Sequence, residues 1–562
     1  KNLEVSPRVS GRLVPVYPET RGLTSKFFRW QIRKLLTALR EIPDPIPTDI
    51  LRRLHLPTLK QAFFYIHFPK EDKYHLLARK RFAFDEMFLI QLQSLRLKSL
   101  YDAAQAAPIP LEEDAIRSIV GTLPFPLTDA QRKAAYEILR DMERPRPMNR
   151  LLNGDVGSGK TLVAALAAFS VASQGYQTVL LAPTEILARQ HIESLAKFFG
   201  TTRHSLALLT GSYRILDGKT VTRPTILKAI QAGIPTIIIG THALLQSDVR
   251  FHNLALVVVD EQHRFGVAQR AHLQAASFQS KDDTPALVPN FLTMTATPIP
   301  RTLTLAFFGN LDISVIDGLP RRRLPVKTSV ALNAREKARV YEFTKGEIRR
   351  GRQAFVIFPL VEESLALADV KAAVAEHKTL EESIFPEFRV GLLHGKMKAK
   401  EKESVMRDFK EKKYDLLVAT AVVEVGVDVP NASIMIIEDA ERFGLAQLHQ
   451  FRGRVGRGDY QSYCFLFPGE HSQDNERLKV LAAKHNGFEI AEADLAFRGP
   501  GDFLGTRQSG LPDIAMENLT NLKLVQITRN EAKMIFKSDP KLAKHPLLLQ
   551  SLQRFDERIH LE

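Results

Sequence analysis

Gly154-Asp155-Val156-Gly157-Ser158-Gly159-Lys160-Thr161 fits the pattern G-x-x-x-x-G-K-[ST]. Glycines at these positions let backbone N–H groups close around phosphate oxygens, because no Cβ blocks the approach. Lys160 can reach the β- and γ-phosphates of a nucleotide, and the Thr161 hydroxyl can hold Mg²⁺. Gly154, Gly157, Ser158 and Gly159 are the remaining candidate phosphate ligands. The setting is the required one. Leu151-Leu152 precedes the loop as a short strand would, and Leu162 to Ala168 follows as a buried helix.

Outward from that loop, composition bounds the rest. The chain has 562 residues, enough for three or four domains, and 44% are hydrophobic, enough for several cores. Lys plus Arg number 78 against 63 Asp plus Glu, a formal charge of +15. Such an excess suits a polyanionic partner, or it serves solubility alone. The single cysteine, Cys464, excludes an internal disulfide and any multi-cysteine metal site, and its apolar neighbours point to core packing. This sparse cysteine usage fits a reducing compartment such as the cytoplasm. No apolar run is long enough to span a bilayer. The opening Lys1-Asn2-Leu3-Glu4 is neither a signal peptide nor an initiating methionine, as expected of a fragment or trimmed chain.

The pattern of elements predicts an α/β chain. Residues 1–20 are β-prone, and 21–117 show helical spacing (Phe27, Trp30, Leu35; Phe84, Phe88, Leu92) broken by Pro43, Pro45, Pro47 and Pro57. Continuous apolar strands then alternate with helices. One series is expected at 178–182, 236–240, 254–259 and 291–294, and a second at 354–358, 390–393, 416–419, 434–437 and 463–467. Runs of this kind indicate parallel sheets covered on both faces, here in two lobes, 118–322 and 323–470, followed by a helical region, 471–562.

Two further constellations carry chemistry. Leu256-Val257-Val258-Val259-Asp260-Glu261 is an apolar strand ending in two acids, at the edge where parallel sheets place ligands. Asp260 suits Mg²⁺, and Glu261 suits the general base that polarises water. In the second lobe, Gln450-Phe451-Arg452-Gly453-Arg454-Val455-Gly456-Arg457 packs three arginines among glycines. If the segment is helical, Arg454 and Arg457 share a face. They are either charge-stabilising groups for a transferring phosphoryl or a generic basic face.

Together these motifs resemble superfamily 2 helicases and translocases with a DExH-type box, in which ATP lies between two RecA-like lobes. Ala182-Pro183-Thr184-Glu185, Gly240-Thr241-His242, Thr295-Ala296-Thr297 and the run from Thr420 to Asp428 match further motifs of that group. Gln131 looks like its adenine-reading glutamine. Longer strings resemble the RecG branch-migration and transcription-repair coupling families: 260–267, 295–303, 394–397 and 444–450, with His449 closer to RecG. The element Arg498-Gly499-Pro500-Gly501-Asp502 through Gly510 resembles the motif linked in both families to duplex translocation.

The resemblance implies an ATP- and Mg²⁺-dependent DNA helicase acting on forks and Holliday junctions in recombination and repair. Its partners would be branched double-stranded DNA and single-stranded DNA-binding protein. It would act as a nucleoid-associated monomer in the bacterial cytoplasm, with no membrane. Lys160, Glu261, Arg454 and Arg457 would be catalytic. Thr184, Thr241 and Thr420 would contact the DNA backbone or merely cap strand ends. Thr295, Thr297 and Gln450 would couple the sites, and Arg498 and Arg507 would transmit movement to DNA. Residues 1–20 would be the last part of an OB-type wedge domain, with a strand near 11–17. Ala421 stands where relatives often carry threonine and is given no role. A transcription-repair coupling translocase, an RNA-directed helicase and an ATP-switched clamp are the alternatives.

Overall fold

The computed structural model describes residues 13–38, 42–200, 204–261, 287–295, 297–300, 303–304, 309, 311–318, 324–359, 375–420, 429–456, 458, 460–469, 476–498 and 521–558. The chain divides into two units. One comprises residues 1–100, 301–310 and 498–562, and the other 101–300 and 311–497.

The first unit is helical. It contains α1 (Ser25–Ala38), α2 (Thr48–Arg53), α3 (Leu59–His67) and most of α4 (Asp72–Asp102). The prolines do separate these helices, and Thr58 starts α3 through a reciprocal bond pair with Gln61. Its organising contact is ionic. The fully buried guanidinium of Arg81 donates to Asp44 at 2.6 and 3.0 Å, to Asp85 at 2.6 Å and to the Pro57 carbonyl at 2.7 Å. A buried cation survives only when its donors are occupied in this way. Of the expected strand near 11–17, residues 11 and 12 lie outside the described residues, and Pro15 is assigned an isolated bridge. The described part, Leu13–Tyr17, joins no sheet, and two prolines within 13–18 withhold the N–H groups a ladder needs.

The second unit holds two sheets. The elements of the first lobe are α5 (Glu113–Gly121), α6 (Asp129–Met142), β1 (Asn149–Gly154), α7 (Lys160–Ser173), β2 (Gln177–Leu181), α8 (Glu185–Phe199), β3 (Leu206–Leu209), β4 (Arg214–Leu216), β5 (Lys219–Thr220), α9 (Arg223–Gln231), β6 (Ile237–Gly240), β7 (Leu254–Asp260), β8 (Asn290–Thr295) and β9 (Asp312–Ile316). Their strand order is β5-β4-β3-β6-β2-β7-β8-β1-β9. The sequence boundary at 117 falls inside α5, whose Ile119 packs into the core of this lobe.

Alternate residues of one strand serve opposite faces. Leu180 joins the core beneath α6 and α7, while Val179 and Leu181 join the core on the other side. Both faces are covered, so the strands read as unbroken apolar runs. The expected parallel sheet carries an antiparallel edge. β3, β4 and β5 pair antiparallel, and Asp217 and Gly218 turn between β4 and β5 with φ of 47° and 78°. That is the two-residue hairpin favoured by Asp-Gly.

The second lobe contains β10 (Lys327–Val330), α10 (Ala334–Arg349), β11 (Gln353–Ile357), β12 (Val390–Leu393), α11 (Ala399–Lys410), β13 (Leu416–Ala419), β14 (Ala432–Glu438), α12 (Leu445–Arg452), β15 (Tyr463–Phe467), α13 (Glu476–Ala483) and α14 (Gly487–Arg498). Its sheet, β10-β15-β14-β11-β13-β12, is parallel at every pairing. Cys464 is buried in its core, and burial pushes the thiol up to about 12, so it is an inert packing group. The chain closes with α15 (Leu522–Ser538) and α16 (Pro546–Arg558), and Arg53 of α2 grips Glu531 of α15 at 2.6 and 3.2 Å. Among the described residues no helix is long and apolar enough to cross a membrane.

Candidate functional site

The parallel order brings the carboxyl ends of β1, β2, β6, β7 and β8 to one rim, and the sequence-predicted residues of the first lobe lie along it. Gly154 ends β1. A Cβ there would lie 2.7 Å from Ser158 Oγ, so only glycine lets the loop fold back so tightly. Gly157 and Gly159 adopt φ of 76° and 89°, a region closed to most side chains. Lys160 opens α7 and donates to the carbonyls of Gly154 and Asp155, each at 2.8 Å. Ser158 Oγ is buried, with no hydrogen-bond partner among the described residues. A buried hydroxyl without a partner at the start of a helix suits an oxygen-rich anion.

Gln131, expected to read adenine, stands beside the phosphate loop. Its amide accepts from Thr128 N at 2.9 Å and donates to the Ser158 carbonyl at 2.8 Å. The side chain is buried, so here it braces the phosphate loop against the start of α6.

Asp260 ends β7 and meets His191 of α8 at 2.8 Å. Burial alone would raise the Asp260 pKa. The His191 contact, then the charges of Lys160 and Arg454, overcome it and hold the carboxyl below its usual range. Arg454 comes from the second lobe, so charges from both lobes act on one carboxylate. Glu261 follows in the left-handed region, φ 57°, with its N–H on the Met294 carbonyl at 3.1 Å. For a non-glycine residue that costs on the order of 1 kcal/mol, as is common at functional positions.

The helical premise for Arg454 is corrected. α12 ends at Arg452, and Arg454 lies in the turn beyond Gly453. Arg452, the first of the three arginines, is instead buried on the carbonyls of Leu481, Lys484 and His485. Gln450 is buried in α12.

Thr184 caps α8 by accepting from Leu187 N at 3.4 Å. Thr241 and Thr420 are buried, and neither hydroxyl has a partner among the described residues. Thr295 ends β8 and donates to the Thr297 carbonyl at 2.9 Å, closing a small turn. Asn153 grips the Ile299 backbone beyond it at 3.0 and 3.1 Å. Arg457, Arg507 and the side chain of Arg498 lie outside the described residues, as does the 499–510 segment.

Sequence reasoning missed three participants. His191 has no local signature, since only folding brings α8 to the end of β7. Asp155 occupies a variable position of its motif, yet its Oδ1 lies 2.5 Å from His449 Nε2 of the second lobe. Asn153 precedes the motif altogether.

The residues fit Mg²⁺ bound with a nucleotide. Asp260 is held ionised and Thr161 is half-buried at the start of α7, both hard oxygen donors. Among the described residues no group of three or more His, Cys, Asp or Glu could hold a metal by itself. Phosphate and water oxygens would complete the shell.

Comparison with known proteins identifies the domains that carry these residues. Residues 128–305 match the DEAD/DEAH box helicase family, 337–459 the helicase conserved C-terminal domain, and 484–557 the family described as ATP-dependent DNA helicase RecG, domain 3, C-terminal. The ATP-dependent DNA helicase RecG of Synechocystis sp. is 46% identical over 97% of this chain and 64% of that relative. The Staphylococcus aureus protein of the same name is 44% identical, covering 94% of this chain and 75% of its own length. A solved structure of RecG bound to a three-way DNA junction superposes with a TM-score of 0.72 at 38% identity, covering 92% of this chain and 68% of that one. The chain thus spans just under two thirds of the Synechocystis relative's length. Two helicase lobes followed by a RecG-specific domain, with relatives this similar across nearly the whole chain, place it in the RecG family of ATP-dependent DNA helicases.

Proposed function

We propose that this chain is an ATP-driven translocase on branched double-stranded DNA, regressing forks and migrating Holliday junctions in recombination and repair. The observation that carries the reading is the contact of the phosphate loop with the second lobe, Asp155 with His449 and Val156 with Gly453, which leaves charges from both lobes acting on Asp260. The RecG structure on a three-way junction supports branched DNA as the substrate class.

Lys160 would exchange the carbonyls of Gly154 and Asp155 for phosphate oxygens, and the loop amides would orient the triphosphate. Mg²⁺ held by Thr161 and Asp260 would neutralise charge shared by the β- and γ-phosphates. Glu261, fixed in its strained backbone, would accept a proton from the attacking water. Arg454 and Arg457 would balance negative charge as the phosphoryl group departs, rewarding closure of the lobes. Thr184, Thr241 and Thr420 would hold the DNA backbone, and Thr295, Thr297 and Gln450 would relate that grip to the nucleotide. Arg498 and Arg507 would transmit the movement to duplex DNA. We read the protein as a monomer of the bacterial cytoplasm working near the nucleoid, with single-stranded DNA-binding protein as a partner.

The test is ATP turnover by wild type and Glu261→Gln on a three-way junction, a Holliday junction, linear duplex and single strand. The reading expects branched DNA to stimulate wild type most and Glu261→Gln to lose turnover. Equal rates for the two proteins would instead indicate an ATP-switched clamp, and stimulation by RNA above DNA an RNA helicase.

A further inference from the structure

The contacts of Asp155 extend beyond nucleotide binding. Its Oδ1 accepts from Val156 N at 2.6 Å and meets His449 Nε2 at 2.5 Å, while its Oδ2 accepts from Gly487 N at 3.1 Å. His449 lies on α12 and Gly487 is the first residue of α14, so one carboxylate of the phosphate loop holds two separate elements of the second lobe. The contact with Gly487 places a negative group at the positive end of a 12-residue helix, a capping role filled from another lobe.

Arg452 closes the network. Its Nη2 lies 3.0 Å from His449 Nδ1, and its guanidinium donates to the carbonyl of Leu481 in the last turn of α13 and to those of Lys484 and His485 in the turn that joins α13 to α14. A guanidinium can only donate, so His449 Nδ1 is the acceptor and Nε2 carries the proton given to Asp155. The imidazole is therefore a connector with both nitrogens committed. Packing leaves no room for a side chain at Gly487. A Cβ on Gly487 would lie 2.7 Å from both Asp155 Oδ2 and His449 Nε2.

α14 ends at Arg498, directly before the glycine-rich segment beginning at Gly499. We propose that Asp155, His449 and Arg452 are positioning residues, a relay that fixes the first turn of α14 to the phosphate loop and so couples ATP turnover to DNA movement. The relay exists only while the second lobe sits against the loop. Opening of the lobes removes the cap from α14 and frees that helix to shift. His449, given no role by the sequence motifs, is the hinge pin.

The inference rests on the reading of the chain as a DNA-stimulated motor. The experiment measures kcat and KM for ATP with and without a three-way junction, and junction unwound per ATP, for the full chain and three variants. His449→Ala is expected to lower junction-stimulated kcat at least tenfold with KM for ATP within twofold, and to lower unwinding per ATP further. His449→Gln, whose amide can donate to Asp155, is expected to recover most of both. Gly487→Ala, which crowds the same point, should behave as His449→Ala. Asp155→Asn carries the same test should His449→Ala fail to fold, and adding His449→Ala to it should cost little more. A raised KM with unchanged kcat, or unwinding per ATP equal to wild type in every variant, overturns the relay. Absence of junction stimulation in wild type itself overturns the motor reading beneath it.

Discussion

Gly453 of the second lobe lies so close to Val156 of the phosphate loop that a Cβ on it would fall 2.7 Å from Val156 Cγ1. The turn carrying Arg454 therefore meets the loop carrying Lys160 with no room for a side chain. Gly453→Val is expected to hold the lobes apart and reduce ATP turnover by about 100-fold, the scale on which small misplacement of reacting groups acts. Steady-state kinetics at saturating junction DNA checks this, and a variant with near-normal kcat would show that the contact is dispensable.

Lys160 and Arg454 differ in which state they serve. Lys160 sits in the loop whether or not the lobes close, so Lys160→Ala is expected to weaken nucleotide binding, read with a fluorescent ATP analogue. Arg454 acts from the opposite lobe, so Arg454→Ala should bind that analogue nearly as well as wild type. Its turnover should fall about 10³-fold, the lower range for loss of such an arginine. Equal loss of binding in both variants would place Arg454 in ground-state binding instead.

Arg81 organises the helical unit. With its side chain fully buried between Asp44 and Asp85, Arg81→Ala leaves two carboxylates facing a void. Removal of one partner from a buried ionic cluster costs about 3–5 kcal/mol. Denaturant unfolding followed by hydrogen exchange in α3 and α4 would locate the loss, and protection there unchanged from wild type would argue against the role.

Asp85 adds a pH dependence. Burial pushes its carboxyl up to about 7 from 3.8, against the pull of Arg81. The folded chain then holds this proton more tightly than the unfolded chain. The stability it contributes is present below about pH 4 and is lost as pH rises towards 7. Asp85→Asn keeps the group neutral, so its melting temperature should gain on wild type between pH 5 and 8. Parallel curves for the two proteins across that range would show that Asp85 titrates normally.

The lobes were legible because burial on both sheet faces forces apolar runs such as Ile237-Ile238-Ile239 and Val257-Val258-Val259, and their ends carry the acids and threonines of the rim. Hairpin β4–β5 was missed although Asp217-Gly218 signalled it, since strands of three and two residues leave no periodicity to read. Strand β1 was seen only as Leu151-Leu152 because Asn149, Arg150 and Asn153 are polar. The fold answers two of them, Arg150 with Asp141 and Ser314, and Asn153 with the Ile299 backbone. The pairs His191–Asp260 and Asp155–His449 join residues 69 and 294 positions apart. No local pattern encodes contacts that exist only once two elements have docked.

The central claim is that one triphosphate draws the two lobes together. Cys464 is buried, so exposed cysteines introduced at Ser173 and Lys378 can carry spin labels selectively. Electron–electron distance measurement between them, with and without a non-hydrolysable ATP analogue, reads lobe closure directly. The account predicts that saturating analogue narrows the distribution to a single distance in wild type and leaves it broad in Arg454→Ala. A wild-type distribution unchanged by the analogue would contradict it.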